Sequence, residues 1–267
     1  MTRPLVMGIV NVTPDSFSDG GHFAQADAAI RHCDQLVNEG ADLLDIGGQS
    51  TRPGAQPCSL DEELKRVLPV LKHAVTLGLP ISIDTWRPEV MSSALALGVD
   101  IVNDVWALRQ PGALQALAAS SSAGVCLMHM RGEPGTMQAE TSYVDVVTEV
   151  AAFLHQRMNH VVAAGVAFDR IVLDPGIGFG KGDDHNWALL RRQAELLQLG
   201  RPLLVGWSRK SSLGRLTGRA VSARRSASIG AALASVQRGA SVLRVHDVAA
   251  TMDAIKVWQM AGLSPLV

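Results

Sequence analysis

Residues 5–14 read Leu-Val-Met-Gly-Ile-Val-Asn-Val-Thr-Pro. Their apolar, β-branched start is typical of a parallel strand that is buried on both faces of a sheet. A doubly wound nucleotide-binding sheet would carry GxGxxG directly after such a strand, where backbone amides approach a pyrophosphate. Here the strand ends in Asn-Val-Thr-Pro instead. The stretch therefore favours a parallel α/β fold other than the doubly wound sheet.

The same pattern of a short apolar run followed by a helical pattern recurs along the chain. The predicted strands are Leu5–Val12, Asp42–Gly48, Pro80–Thr85, Asp100–Val105, Gly124–Met130, Ile171–Gly176, Pro202–Ser208 and Ser241–Asp247. The predicted helices are Asp27–Glu39, Leu60–Leu77, Val90–Leu97, Pro111–Ala119, Asp145–Ala164, Asn186–Leu199, Ala223–Arg238 and Val248–Ala261. Eight β-α pairs fit a (β/α)8 TIM barrel, which typically takes ~250 residues. Because no linker or change of composition divides the chain, we predict a single domain over residues 1–267.

The composition disfavours several classes of function. The 24 Lys and Arg residues are balanced by 25 Asp and Glu residues, whereas a dedicated nucleic-acid binder needs an excess of positive charge. No apolar run approaches the ~18–20 residues that span a bilayer, and the start of the chain lacks the cleavage site of a signal peptide. The 3 cysteines form no CxxC motif, which is simplest to explain as reduced thiols. We therefore predict a cytoplasmic protein without nucleic-acid or membrane partners.

Polar or ionisable residues lie at the end of every predicted strand. They are Asn11, Asp45, Asp84, Asn103 with Asp104, His129, Asp174, the run Ser208–Ser211, and Arg244 with His246. Solvated loops would account for one or two such positions, but the starts of the strands are mostly apolar. In a (β/α)8 barrel the C-terminal ends of all strands meet on one rim, where active sites are built. The pattern therefore predicts a functional site on this rim.

Two groups of basic residues on this rim suggest an anionic ligand. Arg244 and His246 are two residues apart, so they face the same side of their strand. An arginine inside a barrel needs an anionic partner, and both a ligand phosphate and an internal salt bridge to a rim carboxylate fit at this stage. The run Gly206–Ser211 leads into a helix, whose first N–H groups, with Arg209 and Lys210, favour an anion. A solvated loop would have the same composition.

Aromatic and metal-binding residues give weaker signals. Aromatic residues form only 4% of the chain, and those at or just beyond strand ends are Phe17, Phe23, Trp86, Trp106, Phe179 and Trp207. A flat ligand ring in the barrel mouth would account for them, as would plugging of the barrel edge. We predict that His155 and His160 are exposed on a helix, and that His129 is either functional or structural. A hard cation such as Mg²⁺ could use Asn11 together with substrate phosphate oxygens.

Longer motifs at these positions identify a family. Residues 7–21 read Met-Gly-Ile-Val-Asn-Val-Thr-Pro-Asp-Ser-Phe-Ser-Asp-Gly-Gly, and residues 45–54 read Asp-Ile-Gly-Gly-Gln-Ser-Thr-Arg-Pro-Gly. They resemble the first and second signatures of the dihydropteroate synthases. Further motifs follow in family order: Ser82–Thr85, Asn103–Val105, Met128–Gly132, Met137-Gln138, Asp174–Lys181, Ser208–Gly214 and Arg244–Asp247. The resemblance covers residues 7–250, nearly the whole chain.

The resemblance implies a TIM barrel and a reaction of folate synthesis. That reaction joins 6-hydroxymethyl-7,8-dihydropterin pyrophosphate to p-aminobenzoate and gives 7,8-dihydropteroate and pyrophosphate. Mg²⁺ is the implied cofactor, and sulfonamides, which imitate p-aminobenzoate, are expected inhibitors. The family is usually homodimeric. The predicted helix Ala223–Arg238 is rich in Ala, Ser and Gly, so it could pack closely against a partner or within one chain.

The resemblance also implies roles for individual residues. The pterin ring is expected to contact Asp84, Asn103, Met128, Asp174, Gly206 and Lys210. The pyrophosphate is expected to bind Asn11, Arg52, Arg244 and His246, with Mg²⁺ held by Asn11 and Asp19. The p-aminobenzoate is expected to contact Phe17, Thr51, Arg52, Pro53, Phe179, Lys210 and Ser211. Catalysis is assigned to Asn11, Asp84, Lys210, Arg244 and His246, without a covalent enzyme nucleophile.

Two positions depart from the family pattern, and two other functions compete. Gln49 stands where the family usually has Glu, and Trp86 stands where a smaller or more polar residue is expected. A methyltetrahydrofolate-dependent methyltransferase would share the pterin site but would not need Ser208–Ser211 or the run of residues 51–53. A catalytically silent pterin-binding paralogue would be expected to lose Asn11, Lys210 or the Arg244 and His246 pair. All of these residues are present, so a synthase is the favoured interpretation.

Overall fold

The computed structural model describes residues 3–13, 22–50, 58–132, 136–137 and 141–262, with the backbone alone at residues 22–24. The strands are β1 (Leu5–Asn11), β2 (Leu43–Gly47), β3 (Ile81–Asp84), β4 (Ile101–Asp104), β5 (Gly124–Met128), β6 (Ile171–Asp174), β7 (Leu203–Val205) and β8 (Ala240–Val245). Each strand pairs in parallel with the next one, and β8 pairs with β1, so the sheet closes into a barrel. The predicted (β/α)8 TIM barrel is confirmed.

Helices surround the barrel. They are α1 (His22–Asn38), α2 (Leu60–Ala74), α3 (Pro88–Ala96), α4 (Ala113–Ala118), α5 (Val146–Ala163), α6 (Asp183–Arg191), α7 (Ser211–Thr217), α8 (Arg225–Gln237) and α9 (Val248–Met260). Short 3-10 helices cover Phe168–Arg170, Gln193–Leu199 and Val221–Ala223. Local sequence explains several helix starts. The Ser59 side chain accepts a hydrogen bond from the N–H of Glu62 at the start of α2, and Asp145 caps α5 by accepting from the N–H groups of Val147 and Thr148.

The helix α1 begins at His22, five residues before the predicted start at Asp27, and two regions differ from the sequence prediction in their elements. The single helix predicted over Asn186–Leu199 is instead the end of α6 followed by the 3-10 helix Gln193–Leu199. The buried Gln193 side chain donates to the carbonyls of Ser235 and Arg238, at 2.9 and 3.0 Å. These hydrogen bonds join Gln193 to residues distant in the sequence, so the local sequence pattern could not predict this change of helix type.

The other difference is in the seventh β-α unit. The predicted strand Pro202–Ser208 is reduced to Leu203–Val205, with a shift of register between Leu203 and Leu204 where β7 pairs with β8. The chain leaves the sheet at Gly206, and the short helix α7 precedes α8. Residues Gly206 to Lys210 therefore form the loop between β7 and α7, and Ser211 is the first residue of α7.

Side chains that point into the barrel form an apolar layer and a polar layer. The apolar layer contains Met7, Leu43, Cys126, Leu204 and Val242, with Leu5, Ile101 and Val172 packed against them. Two residues further along their strands come Asp45, Asp174 and Arg244. Because alternate residues of a strand share a face, these polar side chains lie above the apolar layer, at the C-terminal rim. No helix among the described residues is long and apolar enough to cross a membrane.

Candidate active site

The centre of the polar layer is Arg244. Its Nε lies 2.6 Å from Asp45 Oδ2, and its Nη2 lies 2.6 Å from Asp84 Oδ2. Asn103 Nδ2 donates to the same Asp45 oxygen at 3.1 Å. Strand register brings these groups together, since Asp84 of β3 is paired with Gly47 of β2 and with Asn103 of β4. Of the two partners left open for Arg244, the internal salt bridge is the one present in this structure.

Burial sets the protonation of this cluster. Asp45 is fully buried. The pKa of Asp84 is raised to about 7, chiefly because burial disfavours its charged form; Arg244 opposes this shift, and the nearby carboxylates, Asp45 first among them, add to it. Burial acts to lower the pKa of Arg244, but Asp45 and Asp84 outweigh it and raise that pKa further. Arg244 is therefore a permanent cation held between two carboxylates.

Asp174 ends β6 on the opposite side of the rim. Its side chain is buried, and its Oδ1 accepts a hydrogen bond from the N–H of Gly176 at 2.7 Å. Burial raises the pKa of Asp174, while the Gly176 N–H and the positive charges of Lys210, Lys181 and Arg244 act in the other direction. Strand register places Met128 of β5 beside Asp174. The predicted pterin contacts Asp174 and Met128 are thus neighbours.

Lys210 and Phe179 also meet at the rim. The Lys210 ammonium lies 4.2 Å from the centre of the Phe179 ring, within the range of a cation–π contact. A Cβ on Gly178 would lie 3.3 Å from Lys210 Cδ, so the glycine lets the loop approach the lysine closely. Burial lowers the pKa of Lys210 to about 8; Asp174 opposes that shift. Two residues predicted to contact p-aminobenzoate are brought together from the loops that follow β6 and β7.

An apolar cluster lies beside these groups. It contains Val105, Met128, Met130 and Met137, and Trp86, Trp106 and Phe179 pack against it. Three of the aromatic residues at strand ends therefore lie beside one apolar cluster, which fits both a surface for a flat ring and plugging of the barrel edge. Trp207 differs, because it is buried and stacks on Trp187 with ring centres 5.0 Å apart. Trp207 therefore has the packing role that was the alternative interpretation.

Sequence reasoning assigned no role to Lys181, which fixes the glycine-rich loop. Its ammonium is buried and lies 2.7 Å from His129 Nδ1; it donates to the carbonyls of Gly176 and Phe179 at 3.0 Å each. Burial and Lys181 lower the pKa of His129 to about 2. His129 is therefore a neutral structural residue, and His155 and His160 are exposed on α5, as predicted.

The loop after β7 contacts the end of β8 through Ser208 and Arg209. The Ser208 hydroxyl lies 2.9 Å from His246 Nδ1 and accepts from the His246 N–H at 3.1 Å, which orients the imidazole. Arg209, expected to add charge for an anion, is instead paired with Asp247 at 3.0 Å. Ser211 is exposed at the start of α7, as its predicted role requires. Gly206 lies beside Arg244: a Cβ there would be 3.9 Å from Arg244 Cβ.

The remaining predicted residues are Asn11 and five that lie outside the described residues. Asn11 ends β1 and is paired in register with Gly47. Phe17, Asp19, Thr51, Arg52 and Pro53 belong to the undescribed segments.

Two arginines bind backbone carbonyls on either side of residues 51–57: Arg66 donates to the Gly48 carbonyl at 2.9 Å, and Arg87 donates to the Cys58 carbonyl. Within the described part of the chain, no group of three or more His, Cys, Asp or Glu could hold a metal ion.

Asp45 was identified as a rim residue but was given no task. A signal was available, since an aspartate inside the apolar strand Leu43–Gly47 needs a buried partner and Arg244 needs a carboxylate. Which carboxylate it contacts depends on the register between strands. Gln49 is buried, and among the described residues its Oε1 has no hydrogen-bond partner.

Comparison with known proteins identifies relatives that match nearly the whole chain. A family model described as pterin binding enzyme matches residues 7–246. The dihydropteroate synthase of Neisseria meningitidis serogroup B is 54% identical over 270 residues, which cover 99% of this chain and 95% of that protein.

Solved structures give the same result. The Xanthomonas albilineans dihydropteroate synthase with 4-aminobenzoic acid is 51% identical, with a TM-score of 0.92 and coverage of 98% of this chain and 94% of that one. In complex with 7,8-dihydropteroate, the enzyme from X. albilineans is matched at 49% identity and a TM-score of 0.89, covering 98% and 95% of the two chains. The Yersinia pestis dihydropteroate synthase, in a sulfonamide drug complex, is 43% identical, with a TM-score of 0.92 and coverage of 98% and 95%.

Proposed function

The chain belongs to the dihydropteroate synthase family of pterin-binding enzymes, and from that membership we propose how its barrel rim performs the reaction. The reaction is the condensation of 6-hydroxymethyl-7,8-dihydropterin pyrophosphate with p-aminobenzoate to 7,8-dihydropteroate and pyrophosphate. The enzyme is a transferase. The observation that carries the assignment of roles is the convergence of Asp174, Lys210, Phe179 and the Arg244 cluster on one rim.

The pterin is proposed to lie between Asp174 and the apolar cluster. A carboxylate can accept two hydrogen bonds from the aminopyrimidinone edge of a pterin, and Asp174 is the buried carboxylate next to Met128. Asn103 and Asp84 would pair with the remaining ring atoms, and Lys210 would donate to the ring carbonyl. Gly206 would leave room for the ring. Met128 and its apolar neighbours would contact the face of the ring.

Arg244 and His246 are proposed to bind the pyrophosphate. Asp45 and Asp84 take Nε and Nη2 of Arg244, and among the described residues Nη1 has no hydrogen-bond partner. A guanidinium held in this way is already oriented when charge develops on the leaving group, so its stabilising effect needs no rearrangement. The Ser208 hydroxyl likewise orients the His246 imidazole before charge develops. Arg52 of the undescribed segment would complete this set.

The residues present fit a Mg²⁺ ion with few protein ligands. Mg²⁺ prefers oxygen ligands, retains several waters, and is usually bound by one or two protein groups plus substrate phosphates. Asn11 offers an amide oxygen at the end of β1, and Asp19 would supply a carboxylate. The ion would supply positive charge to neutralise the departing pyrophosphate.

The bond changes are then simple. The electron pair of the bond between the pterin methylene carbon and oxygen leaves with pyrophosphate, and the amine of p-aminobenzoate forms the new C–N bond and loses a proton. Phe179 and Lys210 would contact the p-aminobenzoate, whose carboxylate would meet the exposed Ser211. Phe17, Thr51, Arg52 and Pro53 would shape the same pocket. Sulfonamides, which imitate p-aminobenzoate, would compete for it, as the Yersinia pestis complex suggests.

Two further proposals concern the state of the protein. We propose that it is a homodimer and is cytoplasmic. Exposed apolar side chains support a dimer, since Val257 and Met260, three residues apart on α9, are 70% and 88% exposed. Analytical ultracentrifugation at micromolar concentration should give twice the mass of the chain, and a monomer under those conditions would contradict the proposal.

Pyrophosphate release tests the catalytic roles. Purified protein would be given dihydropterin pyrophosphate and Mg²⁺, with and without p-aminobenzoate. We expect release that depends on p-aminobenzoate and falls by about 100-fold or more in Lys210→Ala, because a half-buried charged donor at the rim is lost. Lys256→Ala, which removes an exposed lysine on α9, is the matched control and should leave release unchanged. Folded, pterin-binding protein that releases no pyrophosphate would indicate a silent paralogue, and Gln49→Glu would be the first variant to test for restored activity.

A further inference from the structure

The turn that follows β4 has an unusual backbone. Ala107 and Leu108 are consecutive non-glycine residues with φ of 52° and 57°. This left-handed conformation is sterically costly for a residue with a Cβ, and two in succession are rarer still. Both side chains are buried in the main core. The turn is therefore held in place by interactions strong enough to offset its local cost.

One of those interactions comes from Asp104. Its carboxylate is fully buried and accepts from the N–H of Trp106 and from the N–H of Leu108, both at 2.8 Å. The Asp104 carbonyl also accepts from the N–H of Ala107 at 2.9 Å. Asp104 thus bonds to three successive N–H groups of the turn. Its side chain is unavailable for the barrel interior, because its neighbour Asn103 faces that side and bonds to Asp45.

The carbonyl side of the same turn is held by an arginine from another element. Arg157 of α5 donates from Nε to the Ala107 carbonyl at 3.0 Å and from Nη2 to the Leu108 carbonyl at 3.2 Å. Asp104 therefore binds N–H groups of the turn, and Arg157 binds the carbonyl groups of its two left-handed residues.

The turn carries part of the apolar surface beside the rim. Val105 belongs to the cluster with Met128, and Trp106 packs against that cluster together with Phe179. Asn103, a proposed pterin contact, immediately precedes the turn. A change in the turn would therefore move one wall of the proposed pterin site while leaving Asp174 and Lys210 in place.

We propose that Asp104 is a positioning residue for the pterin: it holds Ala107 and Leu108 in the left-handed conformation that keeps Val105 and Trp106 at the apolar cluster around Met128. The inference rests on the proposed pterin site and adds to it. The side chain of Asp104 is held by the N–H groups of the turn, and its proposed effect passes through the backbone of the turn. Its charge also helps to raise the pKa of Asp84, and the double variant with Ala107→Gly separates the two routes, because the glycine relieves the turn without restoring the charge. Loss of the carboxylate should therefore weaken pterin binding more than it changes the catalytic step.

The test combines removal of the carboxylate with relief of the backbone cost. Asp104→Asn keeps the shape of the side chain but replaces one acceptor oxygen by an NH₂ group, which cannot accept from an N–H. Ala107→Gly makes the left-handed conformation available without a Cβ penalty and removes only one methyl group. Binding of 6-hydroxymethylpterin would be followed by its fluorescence, and thermal midpoints would be measured on the same samples.

We expect Asp104→Asn to weaken pterin binding roughly tenfold, Ala107→Gly to leave it within about twofold, and the double variant to return to within about threefold of the parent. KM for dihydropterin pyrophosphate should follow the same order, with little change in kcat. Asp100→Asn is the matched control, because Asp100 also accepts a backbone N–H, from Ile81, but at the other end of β4. It should leave pterin binding unchanged.

The outcomes separate the possibilities. A merely structural role would lower the thermal midpoint of Asp104→Asn without changing pterin affinity, and that result would overturn the inference. Weakened binding that Ala107→Gly fails to restore would overturn it as well, since the charge and not the turn would then matter. If Asp104→Asn does not fold, Arg157→Met removes the other grip on the turn and should weaken binding about threefold, again restored by Ala107→Gly. A parent protein that does not bind the pterin would contradict the proposed function instead.

Discussion

At the scale of single residues, burial gives both Asp84 and Lys210 pKa values close to neutrality. The pKa of Asp84 is raised to about 7 and that of Lys210 is lowered to about 8, in both cases chiefly by burial. Asp84 must be ionised to hold Arg244 and accept from the pterin, and Lys210 must be protonated to donate. We therefore expect kcat/KM for dihydropterin pyrophosphate to rise with pH through about 7 and to fall above about 8.

Two variants check the assignment of these limbs. Asp84→Asn should flatten the acid limb, and Lys210→Arg should flatten the alkaline limb, because an arginine does not deprotonate in this range. For folding the sign is opposite to that for activity: the raised pKa of Asp84 favours the native state at low pH, and this contribution is lost as pH rises through about 7. A parent profile that is flat across this range would contradict both assignments.

Asp45 allows a sharper test, because its charge acts on Asp84. Its negative charge is one of the causes that raise the pKa of Asp84. We expect Asp45→Asn to move the acid limb of the kcat/KM profile to lower pH, and to reduce the maximum about tenfold because Arg244 loses a charged partner. The control is Ser82→Ala: Ser82 is paired with Asp45 in register, and its buried Oγ has no partner among the described residues. An unshifted acid limb in Asp45→Asn would show that the two carboxylates are not coupled.

At the scale of elements, the loop from Asp174 to Lys181 depends on the lysine at its end. Lys181→Met keeps the length of the side chain but removes the donor to the Gly176 and Phe179 carbonyls and to His129. Buried acceptors left without donors cost free energy, so we expect a loss of about 2–4 kcal/mol in the free energy of unfolding and weaker pterin binding. Denaturant titration measures the first effect. Lys65→Met, at an exposed position on α2, is the control, and equal midpoints for the two variants would contradict this role.

The elements also show what the sequence can and cannot reveal. The eight strands and the rim were predictable, because buried parallel strands are continuous apolar runs and their polar ends share one edge. The spacing of Arg244 and His246 likewise indicated a shared face. The partners of these residues were not predictable: Arg244 with Asp45 depends on the register between β1, β2 and β8, and Lys181 with His129 joins residues 52 positions apart. The break after α6 has the same origin, since Gln193 is fixed by carbonyls at the end of α8.

At the scale of the whole molecule, the barrel separates a rigid support from a reactive rim. The apolar layer around Met7, Cys126 and Leu204 fills the lower interior, so the charges above it are shielded from water on that side. In such an environment, charge pairs are stronger and unpaired charges are less stable than in water. This explains why the described carboxylates at the ends of the strands have donors: Asp45 and Asp84 have Arg244, Asp104 has the N–H groups of Trp106 and Leu108, and Asp174 has the Gly176 N–H.

The three cysteines differ in burial, so their reactivity can measure how readily the barrel opens. Cys126 lies inside the barrel and Cys33 lies in the core between helices and sheet, whereas Cys58 is half-buried near the rim. Burial raises the pKa of Cys33 to about 12 and raises that of Cys126 well above its usual range. Thiolates are the reactive form, so these two thiols should react with a disulfide reagent only when the barrel opens. We expect one thiol per native chain to react first, all three in denaturant, and the first phase to vanish in Cys58→Ser. Fast reaction of two or three thiols in the native protein would mean that the barrel interior opens far more readily than its packing indicates.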